Sequence, residues 1–589
     1  MSASLAILAC AAALAVGAGG ADGEGHDAFD DLESVDDLRR VEAALVETAA
    51  RVAPTVVNLR SLGSRGGSTG SGVVITPDGL VATCGHFGRA AGRRVMATLA
   101  DGTEIRGTTL GQANVGKLDC GLVRLDVGDR RLACASLGRS ATLEPGDWVV
   151  TVGYTQGPPE SGSRPGLVRA GRVVLNAPDE VLLDAPIDAG DSGGPAFDLR
   201  GDVVAINTRC GRQSWQNAAT PVDALRDRMT EFCAGLNERD MRPDGADDGD
   251  EDVGADFGRV RRGNGRMAVQ RGLPLEEVAA SAQASMVDVL DSGRHAAYGT
   301  VIDDRGHVVT KRSELPDAEP GAEVLLRLPG SRTAMAEVVG SDPALDLAVL
   351  HADDLGAPAL AWRRTRPLEP GQAVLVPRFD ESGPALGFVS IDRRESERDW
   401  QSVPYLGVQT EFVELGVSAP PDLAGGAKVV EVMPGTAAAA AGLRDGDVVA
   451  SVDGALIDGA RSLRTLLAKR NVGDRVVLRV LRGGEDLSLP ARLGQRPARD
   501  GGEPGRGNTV TPISRVSTGF GTVFAHDAVV QPNQCGGPVV DLDGNAIGLN
   551  IARYDRTATH ALDPKTVMKA VDRIIRDAAR TREAGSAPR

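Results

Sequence analysis

The 589-residue chain contains few aromatic residues and few cysteines. Phe, Trp and Tyr make up 3% of it, whereas glycine occurs 74 times. Few aromatics with many glycines favour short strands joined by tight turns. The seven cysteines include no closely spaced pairs of the kind that bind zinc, so no metal site is expected, and nothing in the sequence implies a cofactor. Their pairing as disulfides cannot be read from their spacing.

The chain is also short of positive charge. It has 65 Lys and Arg residues against 81 Asp and Glu residues, which gives a formal net charge of −16. Binding to nucleic acid needs a basic surface that neutralises phosphates. We therefore expect no nucleic-acid partner.

Long apolar runs are missing except at the N-terminus. A transmembrane helix needs about 20 consecutive apolar residues, and no other stretch comes near that length. Residues 4–18 are apolar and alanine-rich, and small residues follow them. This pattern predicts a signal peptide over residues 1–21 and hence an exported protein, periplasmic or extracellular. No Lys or Arg precedes the run, which leaves an uncleaved membrane anchor or a wrongly assigned start codon as alternatives.

The sequence contains an internal repeat. Asp119 in KLDCGLVRL and Asp346 in ALDLAVLHA lie 227 residues apart (346 minus 119). Ser192-Gly-Gly-Pro and Cys535-Gly-Gly-Pro lie 343 residues apart (535 minus 192), which places 116 extra residues (343 minus 227) inside the second copy. Both copies alternate short β-branched runs with Gly, Asp and Pro turns. The repeat predicts two copies of one mainly β fold, of the barrel or sandwich type.

The extra residues have a character of their own. They contain the run PGTAAAAAGLRDGDVVASVDG, which resembles a PDZ domain and implies an α+β domain over residues 403–494. The resemblance implies that Tyr405, Leu406, Gly407 and Val408 form a loop for the terminal carboxylate of a peptide, which adds to the sheet as a strand. Because both ends of the insert join the second copy, a PDZ fold that only packs against its host remains an alternative.

Three motifs of the first copy contain the residue types of a peptide-hydrolysing site. They are VATCGHFGRAAG around His86, KLDCGLVRL around Asp119 and DAGDSGGPAF around Ser192. A serine hydroxyl becomes a good nucleophile when an imidazole takes its proton, and a carboxylate orients that imidazole. Gly190 is expected to turn the backbone so that its N–H and that of Ser192 form an oxyanion hole.

In the order His, Asp, Ser and in the residues of these motifs, the chain resembles HtrA (Deg-type) trypsin-like serine proteases over about residues 40–230. The resemblance implies two double β-barrel domains, serine endopeptidase activity on protein and peptide substrates, peptide C-termini as PDZ ligands, and a possible homo-oligomer. The chain departs from the family pattern at two positions beside His86. Cys84 stands where the family usually has Asn, and Phe87 where it usually has Val, which puts the geometry of this loop in doubt.

The resemblance also indicates which residues line the substrate pocket. Pro186 and Ile187 occupy the positions just before the oxyanion turn, and both are apolar. An apolar pocket favours cleavage after small aliphatic residues. Asp188 follows them and is expected to point elsewhere.

The second copy has lost two of the three catalytic residue types. Ser313 lies at the position of His86, Asp346 is retained, and Cys535 replaces the serine. Cysteine still needs a base or a lowered pKa to act as a nucleophile, and Ser313 cannot be that base. We therefore predict a non-catalytic copy that carries the PDZ domain or closes an interface.

The predicted domain plan follows from these boundaries. It comprises a signal peptide (1–21), a catalytic trypsin-like domain (36–235), an acidic and polar linker (236–270), the first part of a degenerate trypsin-like domain (271–402), the PDZ domain (403–494), a linker (495–508) and the remainder of the degenerate domain (509–580). A scaffold or binding protein with a relic triad remains the alternative to an enzyme. Below, "first copy" means residues 36–235, and "second copy" means residues 271–402 with 509–580.

Overall fold

The computed structural model describes most of the chain outside its N-terminus and its linkers. The described residues are 32–62, 68–88, 90–155, 166–211, 213–237, 266–315, 317–362, 366–379, 383–396, 404–414, 425–457, 462–463, 466–467, 470, 472–494 and 512–586. The predicted signal peptide 1–21 and linker 495–508 lie outside them, as do residues 238–265 of the acidic linker. No helix among these residues is long and apolar enough to cross a membrane.

The first copy consists of two closed antiparallel barrels of six strands each. Barrel one contains β1 (Val56–Ser61), β2 (Thr69–Val74), β3 (Leu80–Thr83), β4 (Arg94–Thr98), β5 (Glu104–Val115) and β6 (Leu118–Leu125). Barrel two contains β7 (Trp148–Gly153), β8 (Leu167–Ala177), β9 (Glu180–Leu183), β10 (Pro195–Phe197), β11 (Val203–Cys210) and β12 (Asn217–Pro221). The strand order in barrel one is β1-β2-β3-β6-β5-β4.

The second copy repeats this architecture. Its barrel three contains β13 (Met286–Asp291), β14 (Arg294–Val301), β15 (His307–Lys311), β16 (Glu323–Arg327), β17 (Thr333–Asp342) and β18 (Leu347–His351). Its barrel four contains β19 (Ala373–Val376), β20 (Ala385–Ser396), β27 (Gly521–His526), β28 (Pro538–Val540), β29 (Ala546–Arg553) and β30 (Thr559–Leu562). The order β13-β14-β15-β18-β17-β16 is that of barrel one, which confirms the repeated double-barrel fold.

The insert forms an open sheet between β20 and β27. Its strands are β21 (Val408–Glu414), β22 (Gly425–Val432), β23 (Val448–Val452), β24 (Ala455–Leu456), β25 (Arg475–Arg482) and β26 (Glu485–Arg492). The order β21-β22-β23-β25-β26 leaves β21 at an edge, where another strand can add. The buried side chains of the sheet form a hydrophobic core of their own.

Eight α-helices lie among the described residues. They are α1 (Val35–Val52), α2 (Gly85–Gly88), α3 (Val222–Arg226), α4 (Met229–Cys233), α5 (Arg266–Gly272), α6 (Leu275–Ala284), α7 (Ala437–Ala440) and α8 (Pro564–Ser586). Helix α1 begins at a capping box, in which the Ser34 hydroxyl accepts the Asp37 N–H and the Asp37 carboxylate accepts the Ser34 N–H.

One hydrophobic core joins the two copies. Leu38 and Leu45 of α1 belong to the same buried cluster as Leu375 and Phe388 of barrel four. Trp148 of barrel two packs edge-to-face on Phe388, with ring centroids 5.7 Å apart. A shared apolar core of this kind is typical of an obligate interface, in which each side stabilises the other.

Candidate active site

His86 and Asp119 meet because their strands are neighbours in barrel one. His86 lies on α2, directly after β3, and Asp119 lies on β6, which pairs with β3. His86 Nδ1 is 2.6 Å from Asp119 Oδ2, and the His86 N–H donates to Asp119 Oδ1 at 2.9 Å. Gly85 permits this approach, since a Cβ there would lie 1.8 Å from the carbonyl oxygen of Ala113. One oxygen of a buried carboxylate thus holds the imidazole, and the other holds the backbone of the same residue.

Ser192 follows a tight turn in barrel two. The N–H of Asp191 donates to the carbonyl of Asp188 at 2.9 Å, and Gly190, the third residue of the turn, has φ of +96°. That value is typical of a type II turn and not of a type I turn. The Ser71 hydroxyl binds the Gly190 carbonyl at 2.7 Å. Among the described residues, no hydrogen bond uses the N–H of Gly190 or Ser192, so both donors are available to a ligand.

The serine and the histidine are not hydrogen-bonded to each other in the described part of the chain. Ser192 Oγ donates to the carbonyl of Thr208 at 3.4 Å, which is a long contact. His86 Nε2 instead lies 3.5 Å from Cys84 Sγ. Cys84 is the departure from the family pattern that the sequence analysis noted, and its sulfur lies beside the nitrogen that would receive a serine proton.

The pKa of His86 is shifted by these neighbours. Burial by itself lowers this pKa, but the Cys84 sulfur and the Asp119 carboxylate stabilise the imidazolium and raise the pKa to about 11. In this arrangement the imidazole holds its proton at neutral pH. Transfer of the Ser192 proton to it requires that Nε2 exchange the Cys84 contact for the serine.

Cys84, His86 and Asp119 are also the group of described residues whose donor atoms come closest to a metal site. The His86 Nδ1 atom is already bound to Asp119, so Cys84 Sγ and His86 Nε2 are the two donors left. A structural zinc ion needs four ligands and a catalytic one three from the protein. We therefore assign no metal to this group.

A buried ion pair that the sequence analysis missed lies behind the nucleophile. Asp191 and Arg169, on β8, are joined at 3.0 Å with side chains at most 1% exposed. Burial raises the pKa of Asp191, and the Arg169 charge opposes that rise. Arg169 lies in LVRAGRVV, a buried strand pattern. A charged residue inside such a strand could have indicated a buried ion pair.

The residues assigned to the substrate pocket are buried beside this pair. Pro186 and Ile187 are both buried. Asp188 is 3% exposed, and its carboxylate accepts the N–H of Ala189 at 2.8 Å. Burial, with the charges of Asp555 and Asp191, raises the pKa of Asp188 to about 7.

The second copy preserves the shape of the site without its chemistry. The N–H of Ser313 donates to Asp346 Oδ1 at 2.9 Å, as that of His86 does to Asp119, and Ser313 Oγ donates to Asp346 Oδ2 at 2.8 Å. Lys311, which lies 227 residues after Cys84, forms a fully buried ion pair with Asp346. The sequence analysis did not single out Lys311, although a lysine at the position of Cys84 marked the site as altered.

Cys535 lacks the surroundings of a nucleophile. Its side chain is fully buried, and burial raises the pKa of its thiol to about 11. The residues before it, Pro532–Gln534, form a 3₁₀ helix in place of the turn that precedes Ser192. A thiol of that pKa is protonated at neutral pH and is therefore a poor nucleophile.

The loop assigned to PDZ ligands lies at the start of the open sheet. Tyr405 exchanges two backbone hydrogen bonds with Gly494, at 2.8 and 3.0 Å. The Leu406 carbonyl accepts the Ala438 N–H at 2.7 Å. The N–H groups of Leu406 and Gly407 donate to none of the described residues, and Val408 begins the edge strand β21.

Comparisons with known proteins agree with this architecture. A family model for the trypsin-like peptidase domain matches residues 70–206 and 297–413, one stretch in each copy. A PDZ domain model matches residues 404–493. The peptidase match in the second copy thus ends where the PDZ match begins, and the trypsin-like fold is split around an insert.

Curated relatives of this chain are named proteases. The probable periplasmic serine endoprotease DegP-like of Hahella chejuensis is 25% identical over 451 residues, covering 73% of this chain and 81% of its own. The protein of that name from Brucella suis biovar 1 is 36% identical over 142 residues, covering 24% of this chain and 27% of its own. A solved structure titled HtrA-type protease AlgW with tripeptide is 17% identical, covering 78% of this chain and 99% of its own, and its TM-score of 0.27 is too low to support an inference. The chain belongs to the HtrA/DegP-like trypsin-like serine proteases with a PDZ domain.

Proposed function

We propose that the protein is a serine endopeptidase whose first copy hydrolyses peptide bonds with His86, Asp119 and Ser192. The observation that carries the proposal is the bond of 2.6 Å between His86 Nδ1 and Asp119 Oδ2. In the second copy the corresponding bond to Asp346 comes from the Ser313 hydroxyl, which cannot act as a base. A copy that keeps this geometry beside a relative that has lost it is expected to retain the chemistry.

The reaction requires that both the serine and the histidine leave their present partners and that His86 be neutral. Ser192 Oγ is held by the long bond to Thr208, and a rotation of its side chain frees it. Once His86 has lost its proton and Nε2 has left Cys84, Nε2 takes the hydroxyl proton while the oxygen attacks the substrate carbonyl, and Asp119 stabilises the imidazolium. The N–H groups of Gly190 and Ser192 bind the oxyanion, a contribution of about 3 to 4 kcal/mol per donor. Catalytic hydrogen bonds often tighten only when substrate is bound.

The substrates are expected to be exported or misfolded proteins. The relatives above are named periplasmic, and we place this chain in the same kind of compartment. The apolar residues Pro186 and Ile187 support cleavage after small aliphatic side chains. Profiling with a peptide library tests the preference, and dominant cleavage after Lys or Arg would contradict it.

The PDZ domain is proposed to bind apolar C-termini. Its strand β21 lies at the edge of the sheet that the described residues form, where a peptide strand can add, and the N–H groups of Leu406 and Gly407, which bind none of those residues, suit a terminal carboxylate.

Degradation of casein tests the peptidase assignment. We expect wild-type protein to cut casein and Ser192→Ala to reduce the rate by several orders of magnitude, because the remaining groups give only residual catalysis. Cys535→Ala is the matched control in the second copy and should cut casein at the wild-type rate. Loss of cutting in Cys535→Ala with retention in Ser192→Ala would place the chemistry in the second copy and contradict the proposal.

The alternative is a scaffold that binds peptides and cuts nothing. The observation that favours it is the contact between His86 Nε2 and Cys84, which leaves the serine without its base. A scaffold leaves casein intact even when an apolar C-terminal peptide saturates the PDZ domain. A peptidase that awaits its ligand begins to cut under those conditions.

A further inference from the structure

A loop of the second copy is inserted into the first copy beside the substrate pocket. The loop is Tyr554–Ala558, between β29 and β30, and we call it the clamp loop. Its central residue, Arg556, is 1% exposed although it carries a charge at the surface of its own barrel. Buried arginines are rare unless their donors are bound, so the partners of this side chain show what it does.

The hydrogen-bond partners of the Arg556 guanidinium among the described residues all belong to the first copy. Its Nη1 atom donates to the carbonyl of Ile187 and, at 2.8 Å, to the side-chain oxygen of Asn217. Its Nη2 atom donates to three backbone carbonyls, those of Gly211 and Gln216, each at 3.2 Å, and that of Gln213. One guanidinium thus satisfies five acceptors.

These acceptors lie on two different segments around the pocket. Ile187 belongs to the segment that leads to the oxyanion turn and Ser192. The other acceptors belong to the connection between β11 and β12 and to Asn217, the first residue of β12. Asn217 also accepts the Ile187 N–H at 3.3 Å, and Cys210, at the end of β11, is a free thiol. Arg556 therefore joins the segment of Ile187, which is assigned to the pocket, to the connection between β11 and β12.

A second residue of the clamp loop contacts the support of the nucleophile. Thr557 Oγ1 accepts a hydrogen bond from Arg169 at 3.4 Å, and Arg169 is the partner of buried Asp191, the neighbour of Ser192. Asp555 holds the loop in shape, since its Oδ1 atom accepts the Thr557 N–H at 2.7 Å. The loop thus reaches both the pocket walls and the ion pair behind the serine.

The contact follows from the repeat. An offset of 343 places Arg556 at the position of Gln213, so equivalent hairpins of the two copies face each other. In the first copy this hairpin bonds to Ile187 through Asn217, and in the second copy it provides the arginine. The second copy can lose its triad without losing this contact.

We propose that Arg556 is a positioning residue of the peptidase, and that the second copy supplies in cis the clamp that sets the substrate pocket of the first. This inference rests on the proposed peptidase activity for its kinetic consequence. Its structural consequence, ordering of residues 187–194 and 211–217, does not depend on activity.

The kinetic test compares Arg556→Ala with Arg556→Lys. Displacement of catalytic groups by about 1 Å costs about 100-fold in rate, so we expect kcat/KM for a peptide to fall about 100-fold in Arg556→Ala, with a rise in KM. Lysine cannot reproduce the fork of donors and should restore little. Ethylguanidinium added to Arg556→Ala should restore activity, because the site keeps its acceptors, whereas urea at the same concentration should not.

A matched control removes another charged contact between the copies. Arg366 pairs with buried Glu42 on α1, away from the pocket segments. Arg366→Ala should leave kcat/KM within about twofold of wild type, because it touches no pocket segment. If it loses as much activity as Arg556→Ala, general weakening of the interface explains the effect and the proposal is overturned.

Hydrogen exchange separates this inference from the proposed function. In Arg556→Ala we expect faster exchange over residues 187–194 and 211–217, with the strands of barrel one unchanged. Unchanged exchange in the two pocket segments overturns the proposal whatever the activity. If those segments lose protection while even wild-type protein fails to cut, the clamp stands and the peptidase assignment fails.

Discussion

At the residue scale, the two copies differ beside the retained aspartate at two positions that are separated by one residue. Cys84 and His86 in the first copy correspond to Lys311 and Ser313 in the second. Lys311 neutralises Asp346 with a buried ion pair, which removes the need for an imidazole at that carboxylate. Cys84 forms no ion pair with Asp119, and the Asp119 carboxylate binds His86.

Removal of the Cys84 sulfur is expected to shift the pH dependence of activity. The sulfur helps to raise the pKa of His86 to about 11, and a protonated imidazole cannot act as a base. Cys84→Ala lowers this pKa, so the acid limb of kcat/KM should move to lower pH.

The control for this shift is Cys134→Ala, which removes an exposed free cysteine. Its pH profile should match that of wild type. An acid limb that stays in place in Cys84→Ala would show that the sulfur does not set the protonation of His86.

At the element scale, the same loop has two conformations in the two copies. Before Ser192 the chain forms a turn with Gly190 at positive φ, and before Cys535 it forms a 3₁₀ helix. Asn533, 343 residues after Gly190, lies in that helix. The loss of glycine at this position, with the loss of the serine, explains why the second copy has no oxyanion turn.

The PDZ loop depends on glycine in a similar way. Gly407 has φ of +89°, and a Cβ there would lie 2.2 Å from the side chain of Thr436. Gly407→Ala should therefore displace the loop and weaken binding of a labelled apolar C-terminal peptide about tenfold or more, a loss of about 1.4 kcal/mol. Fluorescence anisotropy measures this affinity.

Gly442→Ala is the matched control for that substitution. Gly442 also has positive φ, +78°, but a Cβ there meets no heavy atom within 4 Å. Both variants bear the cost of a left-handed alanine, about 1 to 2 kcal/mol, and only one moves the loop. Equal affinities would contradict a role of this loop in binding, and no binding by wild type would favour a PDZ domain that only packs.

At the scale of the whole molecule, the two copies share one core and one pocket wall. The sequence predicted the duplicated double barrel, because period-matched motifs and turn residues are local signals. It also predicted that His86, Asp119 and Ser192 form one site, since each stands in a recognisable motif, although the Ser192 hydroxyl bonds to Thr208 and not to His86. The bond between His86 and Asp119 agrees with that prediction.

The sequence did not reveal contacts between distant segments. Arg169 and Arg556 appear in ordinary strand and turn patterns, and only tertiary packing buries them against Asp191 and Ile187. The contact of Cys84 with His86 was likewise hidden, because it depends on which way two side chains turn. Long-range polar partners of this kind have no periodic signature in a sequence.

The most direct test of the account is labelling of the full chain with a fluorophosphonate, followed by peptide mapping. The probe reacts with a serine only when a base and an oxyanion hole activate it. We predict one adduct, on Ser192, which disappears in Ser192→Ala and persists in Cys535→Ala. Absence of an adduct on Ser192 in wild-type protein, with and without an apolar C-terminal peptide, would contradict the assignment of the first copy as a serine peptidase.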